Sequence, residues 1–293
     1  MTNDERNPNN EFRRAAARAS GFGFRISLFF RSRTAGSFVI RILTLAFLLN
    51  SGLITFAQRQ PDQRPPPLNP VQAESEARAL VADMLSQKPA QTNTGLLKIR
   101  DANGVQRELP MRFEIWSTAS TSTSVYEAND LNTHRQVKLT IVHSDGQPNQ
   151  YLLYNSGATG SATAGPKKLA GDELMAPFAG SDFWVADLGL EFLHWPQQRL
   201  SKKEMRRSRF CDVLESVNPK AAPAGYSRVK SWIELEAPHG IVHAEAYDAH
   251  GDLLKHFDPT EFEKVRGEYQ LQEMEIRNRK TGSRTRIEFD LQK

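Results

Sequence analysis

One cysteine, Cys211, stands among 293 residues, so no disulfide can brace this chain internally. The expectation is a free buried thiol rather than a link to another chain. Serine, histidine and aspartate do not fall in the order of a hydrolase triad, no Cys-His pairing stands out, and no two carboxylates sit together in apolar surroundings. Of the seven histidines only His239 and His243 are close, in H-G-I-V-H, and no third ligand follows at the spacing of a zinc site. They are expected as exposed strand and turn residues, with no metal and no cofactor. His194, set inside an apolar run, is expected as a satisfied polar group of the core. Ser227-Arg228-Val229-Lys230 and Lys280-Thr281-Gly282 match pieces of a penicillin-recognising serine site, but the first lies in an alternating strand and no S-D-N separates them. Gly160 to Lys167 resembles a phosphate loop, yet Pro166 intrudes and Lys168 stands where Ser or Thr is needed, so Asn155 to Pro166 reads as a flexible loop.

Charge of one sign is also missing once the chain is divided. The whole sequence carries 38 Lys and Arg against 34 Asp and Glu. Removing the eight basic and three acidic residues up to Ala57 leaves 30 against 31, a net charge of about −1. The basic pI therefore belongs to the amino-terminal segment, and nucleic acid loses its main support as a partner. That segment, residues 1–57, reads as an export leader: an Arg-rich start, an uncharged apolar stretch from Ile42 to Ala57, and Thr55-Phe56-Ala57 as a cleavage site. The apolar stretch is shorter than the roughly 20 residues of a spanning helix. Cleavage is the first expectation and retention as an inner-membrane anchor the second; no Cys follows the cut, so a lipid-modified terminus is not indicated. The product would be periplasmic.

What remains is a Pro-rich linker, 58–70, and a single domain, 71–293. Val71 to Lys88 follows helical period, with Ala73, Ala77, Leu80, Val81, Met84 and Leu85 on one side. Almost everything else alternates. Turn signals at Asp101-Ala102-Asn103-Gly104, Asn129-Asp130, Asp145-Gly146 and Arg279 to Ser283 separate about ten antiparallel strands. Neither helix sits where a parallel crossover would need it. The fold class is mainly β (α+β): a strongly curved, unclosed antiparallel half-barrel whose concave face is covered by helices.

The second helical expectation is Ala176 to Gln198, A-P-F-A-G-S-D-F-W-V-A-D-L-G-L-E-F-L-H-W-P-Q-Q, capped by Ser181 or Asp182 and stopped by Pro196. It is apolar nearly all round, so it is either a core helix lying across a sheet or a lid over an apolar cavity. The basic cluster Arg199, Lys202, Lys203, Arg206, Arg207 and Arg209 that follows is either a solvated hairpin or a patch facing lipid phosphates.

Within that run, Gly180, Ser181, Asp182, Phe183, Asp187 and Leu188 form G-S-D-F-x-x-x-D-L. C-D-V-L-E-S at Cys211 to Ser216, Y-S-R-V-K-S-W-I-E at Tyr226 to Glu234 and the closing stretch Met274 to Phe289 accompany it. In these segments the chain, from about Val71 to its end, resembles the LolA-like outer-membrane lipoprotein-sorting proteins. The resemblance implies an unclosed barrel plugged by helices and an apolar cavity for acyl chains of lipids or lipoproteins, with an inner- or outer-membrane partner for handover. Phe183, Trp184, Leu188, Phe192 and Trp195 from the run, with Phe113, Ile115 and Ile287 from the sheet, are the expected cavity and lid residues; no catalytic residue is expected. The alternative is a membrane-anchored envelope sensor or scaffold of the same fold, and a hydrolase using His194 or His239 is a third reading. No Arg matches the carrier's lid-holding residue, and oligomeric state is not indicated.

Amino-terminal sequencing of exported protein separates carrier from anchor. A start at Gln58 is expected, and an intact leader would favour the anchored sensor.

Overall fold

The computed structural model describes residues 69–87, 91–156, 165–236, 239–265 and 268–291. The expected leader, most of the linker and the core of the 155–166 loop lie outside the described residues. Helix α1, Pro70–Ser86, begins where Asn69 accepts the Val71 N–H through its side chain (3.0 Å) and Pro70 occupies the first turn, where its missing donor costs nothing. Ala73, Ala77 and Val81, four apart, are its buried stripe.

The strands are β1 Gln91–Arg100, β2 Gln106–Ser117, β3 Thr121–Asp130, β4 Arg135–Ser144, β5 Gln150–Asn155, β6 Lys167–Leu169, β7 Gln197–Arg206, β8 Arg209–Val217, β9 Arg228–Glu234, β10 Ile241–Tyr247, β11 Leu253–Val265, β12 Glu268–Asn278 and β13 Arg284–Asp290. Thirteen strands thus stand where about ten were expected; β6, three residues long, gives no alternation to read. All lie in one antiparallel sheet, in the order β6-β5-β4-β3-β2-β1-β13-β12-β11-β10-β9-β8-β7. Two meanders, β1 to β6 and β7 to β13, are joined in the middle by the pairing of β1 with β13, Leu97 opposite Ile287. Neither β6 nor β7 pairs further, so the sheet does not close. The expected Asn129-Asp130 turn lies one step later: Asp130 ends β3, and its carboxylate caps the turn by accepting the N–H groups of Asn132 and Thr133.

The free edges β6 and β7 are consecutive in the chain, so residues 170–196 must run from one side of the sheet to the other. The single helix expected there is replaced by short turns: 3₁₀ at Gly171–Met175 and Phe178–Gly180, one α turn (α2) at Val185–Leu188, and 3₁₀ at Glu191–His194. Ala179, Gly180 and Leu190 break the run with φ of 50°, 70° and 48°. The left-handed region ends helices. At about 1.5 Å per residue a straight helix of this run would also reach only about 34 Å. Thirteen strands at about 4.8 Å spacing make an arc of about 58 Å. A broken chain can follow the curve.

Buried apolar residues gather in two large clusters and a small third of Cys211, Val213, Trp232 and Val242. One large cluster, under β1 to β6 with β12 and β13, takes Leu174, Phe178, Phe183, Val185 and Leu188 from the crossing segment. The other, under β7 to β11, takes Phe192, Leu193 and Trp195 from it and Ala77 and Val81 from α1. The two halves of the run thus serve two half-cores in succession.

Gly95 of β1 lies at the join of the meanders, and a Cβ there would sit 2.0 Å from the Glu288 carbonyl oxygen. Gly95→Ala is expected to destabilise the protein by at least the 1–3 kcal/mol or so of an overpacked core. Urea denaturation measures this; an unchanged midpoint would contradict the packing of β1 on β13.

Candidate functional site

The crossing segment is held to the sheet by polar bolts rather than by apolar packing alone. Asp182 is the first. Its N–H donates to Thr285 Oγ1 (2.9 Å), and its carboxylate accepts from Thr285 Oγ1 (2.9 Å) and Ser283 Oγ (2.6 Å). Its backbone carbonyl accepts from Lys255 Nζ at 2.6 Å. Asp187, one α-helical turn on, accepts from the Trp184 N–H (2.7 Å) and Tyr226 Oη (3.2 Å), and its carboxylate lies 3.6 Å from Lys255 Nζ. Trp184 stacks on Tyr226 with centroids 4.5 Å apart, and Lys255 Nζ lies 3.5 Å from the Trp184 ring centre. A cation against a desolvated indole face is worth about 2 kcal/mol.

Ser181 and Asp182 therefore do not cap a long helix. Ser181 Oγ accepts the Phe183 N–H within a turn, and Asp182 fastens the segment to β13 and β11. At the far end Gln198 donates to the carbonyls of Phe192 (2.9 Å) and Trp195 (3.0 Å) and accepts from Ser216 Oγ (2.6 Å). Tyr126 Oη donates to the Leu188 carbonyl. Burial pulls Lys255 down to about 8 and pushes Asp187 above the ordinary carboxylate range, each shift resisted by the other's charge.

Beneath the segment, between α1 and the concave face of the sheet, lies a cavity of about 1040 Å³. Its rim passes the end of α1 at Ser86 and Gln87 and the exposed turn from Asp145 to Pro148. Of the residues expected at such a cavity, Phe113, Ile115, Phe183, Leu188, Phe192 and Trp195 are in its wall. Trp184 and Ile287 are not: Trp184 is engaged with Tyr226 and Lys255, and Ile287 is fully buried in the first cluster. Val81, Met84, Phe257 and Met274 line it without having been singled out, as does the buried Lys255.

The histidines depart from expectation. His243 is 3% exposed rather than solvated, with Nδ1 2.8 Å from Asp258 and Nε2 3.2 Å from Glu245, because partners on β10 and β11 enclose it. His239 is half-buried, with Nδ1 2.8 Å from the Glu234 carbonyl oxygen. His194 is not a satisfied core group: its Nε2 is buried without a hydrogen-bond partner among the described residues. No group of three or more His, Cys, Asp or Glu among the described residues could hold a metal. Cys211 is buried and unbridged.

The basic cluster is largely neutralised. Arg199 meets Glu215, Lys202 meets Glu204, Lys203 meets Asp212, Arg207 meets Asp258, Arg209 meets Glu234 at 2.6 Å, and Arg206 lies over Trp232. Such pairing leaves little free charge for lipid phosphates.

An open antiparallel sheet wrapped round an apolar cavity defines the LolA-like class of fold. A family model described only as that of an uncharacterized protein matches residues 110–292, and the chain belongs to that family. Among solved structures, a putative outer membrane lipoprotein-sorting protein domain from Vibrio parahaemolyticus superposes with a TM-score of 0.60 at 16% identity, covering 74% of this chain and 92% of its own. A DUF1329 family protein from Desulfovibrio piger gives 0.57 at 17% identity, covering 74% and 91%. A LolA superfamily protein from Nitrosomonas europaea gives 0.51 at 14% identity, covering 75% and 92%. No curated protein matches the chain.

Lys255→Met and Asp187→Asn each strand one member of a buried pair and should each cost about 3–5 kcal/mol. The double variant is expected to cost about 1–3 kcal/mol less than the sum of the two in urea unfolding; additive losses would show that the two do not interact. The sign with pH follows from Lys255. Between pH 8 and its ordinary 10.5 the unfolded chain binds more protons than the folded one, so stability from this group rises with pH across that window, and Lys255→Met should abolish the rise.

Proposed function

We propose that the protein is a periplasmic carrier or binding protein for the acyl chains of lipoproteins or other lipids, acting without catalysis in outer-membrane lipoprotein sorting. The reading is supported first by the cavity of about 1040 Å³, whose wall carries Phe113, Ile115, Phe183, Leu188, Phe192 and Trp195. Its size matches the upper end of ligand pockets, about 1,000 Å³. Within the reading these six residues seat the acyl chain, and the crossing segment is the cover through which it enters. The leader of residues 1–57 directs export, 58–70 spaces the domain from it, and 71–293 is the one lipid-binding domain. Among the described residues no helix is long and apolar enough to cross a membrane.

Burying an acyl chain gains about 0.8 kcal/mol per CH₂, in a bilayer or in a dry protein pocket alike. A carrier needs that near-equality. A chain can then leave a membrane for the cavity and leave the cavity for a partner without any covalent step, the balance being set by how easily the cover moves. Lipoprotein sorting enters from the likeness in fold to the Vibrio parahaemolyticus domain, a putative outer membrane lipoprotein-sorting protein.

Native mass spectrometry of protein taken gently from the envelope should show an adduct of lipid mass, lost in Phe192→Asp or Leu188→Asp variants that stay folded by circular dichroism. A clean apo mass for the wild type would sink the proposal.

A further inference from the structure

The cavity wall is not apolar throughout. At one end the inward positions of β3 and β4 become Ser122, Ser124 and His143, and His194 of the crossing segment faces them. The rings of His143 and His194 lie 6.4 Å apart and 24° from parallel.

The protons on this end follow from the hydrogen bonds. Asn149 Nδ2 donates to Tyr151 Oη (3.2 Å) and to the Gly189 carbonyl (3.1 Å), and Tyr151 Oη donates to Glu191 (2.7 Å). Asn149 Oδ1 is therefore the acceptor facing His143 Nδ1 at 2.8 Å, so His143 carries its proton on Nδ1. That leaves His143 Nε2 as a lone pair with no protein partner among the described residues. His194 Nε2 is likewise unpartnered and buried. Burial keeps both rings neutral, His194 down at about 4. The buried, unpaired His194 Nε2 costs free energy unless something pairs it, and the His143 lone pair beside it is open to a donor. Neutral rings offer no charge to an anion, and a lone pair asks for a donor.

We propose that this end of the cavity is a headgroup site for an uncharged amphiphile with a free hydroxyl, which donates to His143 Nε2 and accepts from a proton on His194 Nε2. It rests on the cavity being a lipid site, and it names the class of lipid: a monoacylglycerol fits, a methyl ester has no donor, and a fatty-acid anion would find no cation among Ser122, Ser124, His143 and His194.

The test is displacement of 1-N-phenylnaphthylamine from the purified protein by monooleoylglycerol, methyl oleate and oleate at neutral pH. Monooleoylglycerol is expected to displace the probe at roughly tenfold lower concentration than methyl oleate, the effect of one to two hydrogen bonds. His194→Phe keeps a ring and His143→Leu removes the acceptor; each should bring that ratio to about threefold or less, both displacements being read against the variant's own probe affinity. Equal displacement by the glycerol and the methyl ester, oleate ahead of both, or a ratio unchanged in folded variants would overturn the headgroup site and leave the lipid cavity standing. Failure of wild-type protein to bind the probe would overturn the lipid cavity and this site with it. A wild-type ratio near one overturns the site without any variant.

Discussion

The constraint on which the structure depends is topological. Strands β6 and β7 are neighbours in the chain and opposite edges of a thirteen-stranded sheet, so residues 170–196 have to cross the whole concave face. A segment so placed must present apolar residues to two half-cores in turn, which is why it is apolar on more than one side. It must also bend with the sheet, and Ala179, Gly180 and Leu190 supply the left-handed steps at which it bends. A bent chain fastened at intervals does not pack on the sheet along its whole length. The cavity is the space left beneath it.

The fastening is mostly polar, and Lys255 is its centre. An ammonium at 2% exposure is expensive to desolvate. Here it donates to the Asp182 carbonyl, pairs with the Asp187 carboxylate at 3.6 Å, and turns its charge to the Trp184 and Tyr226 rings. An apolar group of similar volume could match this for stability, but it would lack direction. Asp182, Trp184 and Asp187 each sit at a defined point of the crossing segment, and Thr285 repeats the arrangement from β13. The G-S-D-F-x-x-x-D-L residues thus act through position: Asp182 and Asp187 fix where the cover lies, and Phe183 and Leu188 face the cavity.

Alternation made most of the sheet legible. Met111, Phe113 and Ile115 or Val137, Leu139 and Ile141 carry a period of two that only a half-buried strand satisfies. The Asp101 to Gly104 turn showed itself because Asp101 Oδ1 accepts the N–H groups of Asn103 and Val105, local chemistry written in four residues. The crossing segment was misread because a helical period describes neighbours along the chain, whereas its breaks are imposed by a sheet it has to span. Lys255 was invisible for a related reason. A lysine in L-L-K-H-F reads as a solvated strand position, and its carbonyl partner lies 73 residues away. His243 looked exposed because Asp258, which covers it, belongs to the next strand. Phe113, Ile115, Phe183, Leu188, Phe192 and Trp195 border the space; Trp184 and Ile287 are as apolar, and only geometry diverts them to other contacts.

The cavity is open rather than sealed: its rim passes Ser86, Gln87 and the exposed Asp145 to Pro148 turn, so solvent or a ligand has access to it. The sheet could have filled much of it, yet its inward positions there include Ser124, Ala244 and Ala246, each too small to do so. Phe113 and Ile115 of the sheet, with Phe183, Phe192 and Trp195 of the crossing segment, give the space an apolar side as well as this small-residue one. Water satisfies the serines and the histidine nitrogens but leaves the aromatic wall wet. An acyl chain with a hydroxylated head satisfies both ends at once.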